Sequence, residues 1–256
     1  MLILLAIACL GTVLWVQMPR LGQLSRSSDQ LSQVQLQRDL EREKQQLALL
    51  KQLPDLGFRN LWADWTLLKF FQYFGDEEAR QRTNYSLSPD YFDVILDRDP
   101  YFRDGYFFLS GSTSMFAGRP DRTIEIINRH LPRLSPTTPE KAFYIWRYKA
   151  IDELLFLGDT AAARQSFLKA AAWAQAYPGE EGQAVAASSL QTVKFLETNP
   201  DSSAAQISAW TMVLSSARDP ATREIAIRQI EKLGGVLETD AQGNVKIKMA
   251  APPLPK

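Results

Sequence analysis

The sequence predicts an all-α protein in which helix hairpins stack behind one apolar N-terminal span. Three observations carry that prediction. From Phe143 to Trp173, aromatic and aliphatic side chains recur at helical spacing, broken once by Gly158-Asp159. An aromatic block at 57–76 ends on the same pair, Gly75-Asp76. Turn signals also return at a fixed interval. Forty residues separate Gly118 from Gly158, and forty more reach the break Thr198-Asn199-Pro200-Asp201. Such an interval marks stacked units, each burying its neighbour's apolar face.

Composition narrows the chemistry. An apolar fraction of 45% beside 23% charged residues suits a globular chain with a sizeable core. Lys+Arg and Asp+Glu are 29 each, so no basic excess points to a nucleic-acid partner. With Cys9 as the single cysteine and His130 as the single histidine, a disulfide framework, a thiolate cluster and a His-based metal site are not expected.

Residues 1–20 form the first segment. Leu2 to Met18 carry no charge, and a run of this length sits at the lower limit for spanning a bilayer. A secretory signal needs a basic start and a small-x-small cleavage site, and neither is present. Ala6-Ile7-Ala8-Cys9 faintly resembles a lipoprotein box, but Cys9 lies inside the run rather than after it. An uncleaved single-pass anchor is the expectation. Arg20 and Arg26 follow the span, so the positive-inside rule places the main domain in the cytoplasm.

Residues 21–54 are rich in Gln, Ser, Glu and Leu and end at Pro54. Leu24, Leu31 and Val34, then Leu40, Leu47 and Leu50, recur in coiled-coil fashion, with Arg38 interrupting the seam. The segment reads as a solvated helical stalk; the alternative is a short coil that pairs two copies of the chain through residues 21–53.

The helical domain spans 55–235. In its first helix Phe58, Trp62, Trp65, Phe70, Phe71, Tyr73 and Phe74 leave only a narrow polar strip, which predicts burial on most sides. Ser88-Pro89 opens the next helix and Asp99-Pro100 closes it. A hairpin follows, Tyr101–Ala117 and Arg122–Leu131, joined at Gly118-Arg119-Pro120-Asp121; a Pro/Ser/Thr loop then leads to the 143–173 hairpin. Helix pairs are expected at 57–98, 101–131, 140–176 and 182–216, with a closing helix from Pro220. Residues 236–256 read as a small β-hairpin, Val236–Thr239 with Asn244–Met249, and an extended tail.

Within the 143–173 hairpin, Gly158 suits a left-handed helix end, Asp159 can cap the next helix, and Ala163, Phe167 and Ala170 share one face. This stretch resembles the tetratricopeptide repeat (TPR), whose pattern has a Gly-Asp turn followed by Ala, an aromatic and Ala at this spacing. The copy at 101–131 is degenerate: Gly111 fits, but Thr123, Ile127 and His130 replace the Ala-aromatic-Ala set. The resemblance implies a right-handed superhelical array behind the membrane anchor, as in anchored TPR proteins of bacteria and chloroplasts. Several of those assist assembly of membrane complexes. It further implies a concave groove lined by Phe108, Ser112, Met115, Phe116, Tyr148, Asp152 and Phe156. The set lacks the Lys and Asn clamp for a C-terminal carboxylate, so a helix or apolar peptide segment of a protein partner suits it better.

No phosphate loop, nucleophile elbow, zinc pattern or dinucleotide fingerprint appears, so neither an enzymatic activity nor a cofactor is expected. Leu109-Ser110-Gly111-Ser112 lacks the second glycine of a nucleophile elbow. Asp93, Asp97 and Asp99 lack the spacing of a calcium loop and read as a solvated face or as partners of Arg98 and Arg103. His130 reads as a helix-face residue. Two functions follow: a membrane-anchored binding scaffold, or a permanent structural subunit of a membrane complex.

Overall fold

A computed structural model describes residues 11–13, 15, 32–54, 56–239 and 245–249. The chain is predominantly helical, with one two-stranded sheet near its end. Among the described residues no helix is long and apolar enough to cross a membrane. The expected anchor, Leu2–Met18, lies outside them apart from residues 11–13 and 15.

Helix α1 (Gln33–Gln52) begins at a reciprocal capping box between Ser32 and Gln35. This described part of the expected stalk packs against the helices Glu77–Thr83 and Ser88–Arg98 instead of standing free in solvent; residues 21–31 lie outside the described residues. Of the leucine-pattern residues, Leu47 is buried within the chain and Val34 is exposed, while Leu24 and Leu31 lie outside the described residues. Lys51 Nζ lies 2.7 Å from the Asp93 carboxylate, and Arg98 donates to the Leu50 carbonyl at 2.7 Å. The second half of the leucine pattern, Leu40, Leu47 and Leu50, serves an intramolecular contact.

Helix α2 (Arg59–Gly75) is followed by α3 (Glu77–Thr83), which Asp76 caps through the Ala79 amide, and then by α4 (Ser88–Arg98). Helix α4 is the centre of the main core: Tyr91, Phe92, Ile95 and Leu96 are fully buried. Phe70 meets Phe92 edge-on at 4.7 Å, the favoured geometry for ring pairs. In contrast to the expectation, α2 is not buried on most sides. It sends Ala63, Thr66, Phe70 and Tyr73 inward and leaves Leu61, Trp65 and Leu68 exposed.

The two hairpins then follow with a shared departure from ideal helix. Helix α5 (Arg103–Leu109) continues as a π-helical turn over Ser110–Phe116, and α7 (Phe143–Asp152) as a second over Glu153–Leu157. Each turn ends at a left-handed glycine, Gly118 at φ +64° and Gly158 at φ +72°. Their return helices are α6 (Pro120–His130) and α8 (Thr160–Gln175). In α8, Ala163, Phe167 and Ala170 are buried on one face as their spacing predicts.

Helix α9 (Glu180–Thr198) packs on α8. The expected fourth pair ends there, because α10 (Ser203–Ser216) pairs with α11 (Pro220–Lys232). Helices α10 and α11 fold back across both π turns, where Trp210, Val213, Ala226 and Ile230 form a core with Met115 and Phe156. Strands β1 (Gly235–Thr239) and β2 (Val245–Met249) pair antiparallel, Leu237 opposite Ile247, as the alternating pattern predicts.

Candidate functional site

Rings from successive helices make one continuous ladder. It starts at Phe71 of α2, which meets Phe108 of α5 edge-on at 5.2 Å. It passes through Phe107 to Tyr148 of α7 at 5.7 Å, then to Tyr144 at 6.3 Å in stacked geometry. It continues through Phe143 and ends at Tyr177, 5.6 Å further on. The placement follows from local spacing: Tyr144 and Tyr148 stand one helical turn apart, and Phe107-Phe108 bridge the two neighbouring helices. Phe107 is exposed, while Phe108, Tyr144 and Tyr148 are half-buried, so each presents an edge or face to solvent. Polar groups fix the far end. The Tyr144 hydroxyl bonds Glu181 at 3.0 Å, Lys141 pairs with the same carboxylate at 2.6 Å, and Arg147 donates to Ser188 at 2.8 Å.

At the near end the ladder borders an apolar cavity of about 230 Å³ lined by Phe70, Phe71, Phe74, Phe107, Phe108 and Phe116. Gly111 also lines it, and a Cβ added there would meet nothing within 4 Å. The space is large enough for one aliphatic or aromatic anchor of a partner.

Of the seven groove residues the resemblance implies, the structure places Phe108 and Tyr148 on this ladder. Phe116 forms one wall of the cavity and packs on Phe74 at 5.3 Å and Tyr85 at 5.1 Å. Ser112 also lines that cavity, and Met115, Phe156 and Asp152 lie elsewhere. Ser112 is buried and donates to the Phe108 carbonyl at 2.8 Å. Met115 and Phe156 pack under α10 and α11, with Phe156 edge-on to Trp210 at 5.1 Å. Asp152 is fully buried. Phe107 and Tyr144, which the sequence reading passed over, belong to the ladder; the adjacent phenylalanines and the Tyr144/Tyr148 spacing were the available signals.

Asp152 belongs instead to a buried polar seam between the two first helices. Ser110 Oγ donates to Asp152 Oδ1 at 3.0 Å, and Oδ2 has no hydrogen-bond partner. Burial pushes the carboxyl up to about 7, only partly offset by Ser110 and Ser114. Beside it, Glu153 is paired with Lys149, and Ser166 bonds the Glu153 carboxylate at 2.6 Å. Asp93 is held by Lys51, Arg122 and Arg129 within 3.0 Å, joining α1, α4 and α6. His130, read as a helix-face residue, is fully buried 3.3 Å from the Asp97 carboxylate, and burial lowers its pKa to about 4, so the ring is neutral. Among the described residues no three His, Cys, Asp or Glu side chains gather where a metal ion could sit.

No family model, curated protein or solved structure matches the chain.

Proposed function

We propose that this protein is a membrane-anchored, non-enzymatic scaffold of TPR type. It binds an apolar or amphipathic helix of a protein partner along the aromatic ladder and serves in assembly of a membrane complex. The observation that carries this reading is the ladder itself. Phe107, Phe108, Tyr144 and Tyr148, partly open to solvent and bordered at one end by an apolar cavity, match how an amphipathic helix inserts anchors at helical spacing. The anchor part rests on the charge-free run Leu2–Met18, and the cytoplasmic side on Arg20 and Arg26.

The test is affinity capture from solubilised membranes with wild-type protein, Phe107→Ala and Tyr148→Ala, each checked for fold by circular dichroism. A specific partner should be lost with both variants. Retention of every captured protein by folded variants would remove the ladder as the binding surface. The permanent-subunit alternative draws on the exposed Leu61, Trp65 and Leu68. A subunit should aggregate or unfold on dilution away from its complex, whereas a scaffold stays folded and monodisperse.

A further inference from the structure

We propose that the face formed by Leu49, Leu56, Phe58, Leu61, Trp65 and Leu68 lies in the interfacial layer of a lipid bilayer. This deepens the anchored reading and rests on it. The face is separate in composition from the ladder, and its residues are unusually open for their size. Phe58 is 62% exposed, Leu61 64%, Trp65 53% and Leu68 57%. Leu61, Trp65 and Leu68 follow one another at helical spacing along the solvent side of α2, while the opposite side of that helix is buried in the array. Leu56 and Phe58 extend the stripe into the preceding loop, and Leu49 and Trp65 line a shared cavity of about 220 Å³ between α1 and α2. Contiguous apolar exposure of this kind marks an interaction surface.

Two features select the bilayer over other covers. First, the described apolar side chains of the N-terminal run, Val13 and Trp15, are not seated on the face, being themselves 50% and 79% exposed. Both surfaces need an apolar cover, and one bilayer supplies it to both. Second, the tether fits. Thirteen residues, 19–31, join the run to Ser32 at the start of α1. Extended, they reach about 45 Å, against about 30 Å for the length of α1. An anchored run therefore allows α2 to lie flat on the same membrane, at a high effective concentration. The mix of Trp, Phe and Leu suits the headgroup boundary, where amphipathic rings settle. Charge contributes little. Arg59 is turned onto the Asp97 and Arg98 carbonyls at 2.8 and 3.2 Å, which leaves Asp64 and Lys69 to flank the stripe. Docking should accordingly be driven by apolar burial and be insensitive to salt.

The test uses the full chain in phosphatidylcholine vesicles. Cys9→Ser is combined with Leu68→Cys, which carries an environment-sensitive fluorophore, and a control carries the same label at Gln191→Cys on α9. Lipids bearing a nitroxide in the upper acyl chain should cut the emission of the position-68 label about twofold or more, in low and high salt alike, and leave the control unchanged. Adding Leu61→Asp and Trp65→Asp should abolish the quenching while the chain still resists alkaline extraction. An unquenched position-68 label in a chain that resists extraction would overturn the face and spare the anchor. Extraction at alkaline pH would overturn the anchor reading and the inference with it. Shielding that grows with protein density instead of nitroxide content would assign the face to a second copy of the chain. Shielding that requires another membrane protein would assign it to that protein.

Discussion

Asp152→Asn tests the buried seam between the two first helices. The ordinary value for this carboxyl is 3.8, and burial raises it to about 7 in the folded chain. A difference of about three pH units corresponds to roughly 4 kcal/mol at 1.36 kcal/mol per unit, an upper bound because the site can relax. The sign follows from proton uptake. Below pH 3.8 both states hold the proton and no penalty exists. As pH rises toward 7 the unfolded chain releases its proton while the folded chain keeps it, so stability falls. Above 7 the folded carboxylate is charged, and the penalty levels off. Asparagine keeps the shape and never ionises, so the variant should lack this slope. Urea unfolding of wild type and variant in mild detergent, followed by circular dichroism at pH 5, 6, 7 and 8, measures it. The variant should gain on wild type by about 1 kcal/mol per unit up to pH 7, reaching about 2–4 kcal/mol at pH 8. Parallel curves for the two proteins across that range would show that Asp152 ionises normally and is solvated, refuting the dry seam.

Ala163→Arg forces a long cation into a fully buried contact and should cost several kcal/mol, whereas Arg164→Ala, at a partly exposed site 3.8 Å from Glu197, should cost about half a kcal/mol or less; thermal melts compare them. Asp93→Ala removes the carboxylate that Lys51, Arg122 and Arg129 share and should cost about 2 kcal/mol, below the value for a fully buried pair because the three cations are partly exposed and each keeps a second acidic partner, Asp90 for Lys51 and Glu125 for the arginines. Hydrogen exchange should then show α1 opening first. Phe156→Ala empties the space under Trp210 and should cost about 3 kcal/mol in urea unfolding. Removing residues 1–20 should release a soluble helical protein. Sedimentation with membranes after salt and alkaline washing would count against a single anchor.

Helix boundaries were legible where punctuation was strong. Gly158-Asp159 works as read, with Gly158 left-handed and Asp159 accepting from the Ala162 amide at 2.9 Å. The Ala163, Phe167 and Ala170 face was legible because spacing alone sets which side of a helix they share. The π turns were not, since no residue type at 110–116 or 153–157 announces a switch from i→i+4 to i→i+5 bonding. That switch displaces the face that follows it by about one residue, or 100°. Met115 and Phe156, placed on a groove by the repeat resemblance, which presumes regular helices, instead meet α10 and α11. The docking of α1 was hidden for another reason: the same leucine pattern serves a coiled coil and an intramolecular seam, and the partners that decide, such as Asp93, lie about forty residues away.

The return of α10 and α11 over the π turns has a consequence for how the chain is made. Thr222 donates to the Phe116 carbonyl across 106 positions of sequence, and Arg218 reaches Glu77 across 141. A repeat array normally matures unit by unit, because each unit touches only its neighbours. Here Gly118 and Gly158 leave room for Ile225 and Gln206, side chains synthesised long after the hairpins they close upon. The nascent hairpins must therefore hold Met115 and Phe156 uncovered until the last helices emerge from the ribosome. At a synthesis rate of about 5–20 residues per second, that delay lasts on the order of several seconds to about 20 s, an interval in which a chaperone has an apolar surface to hold.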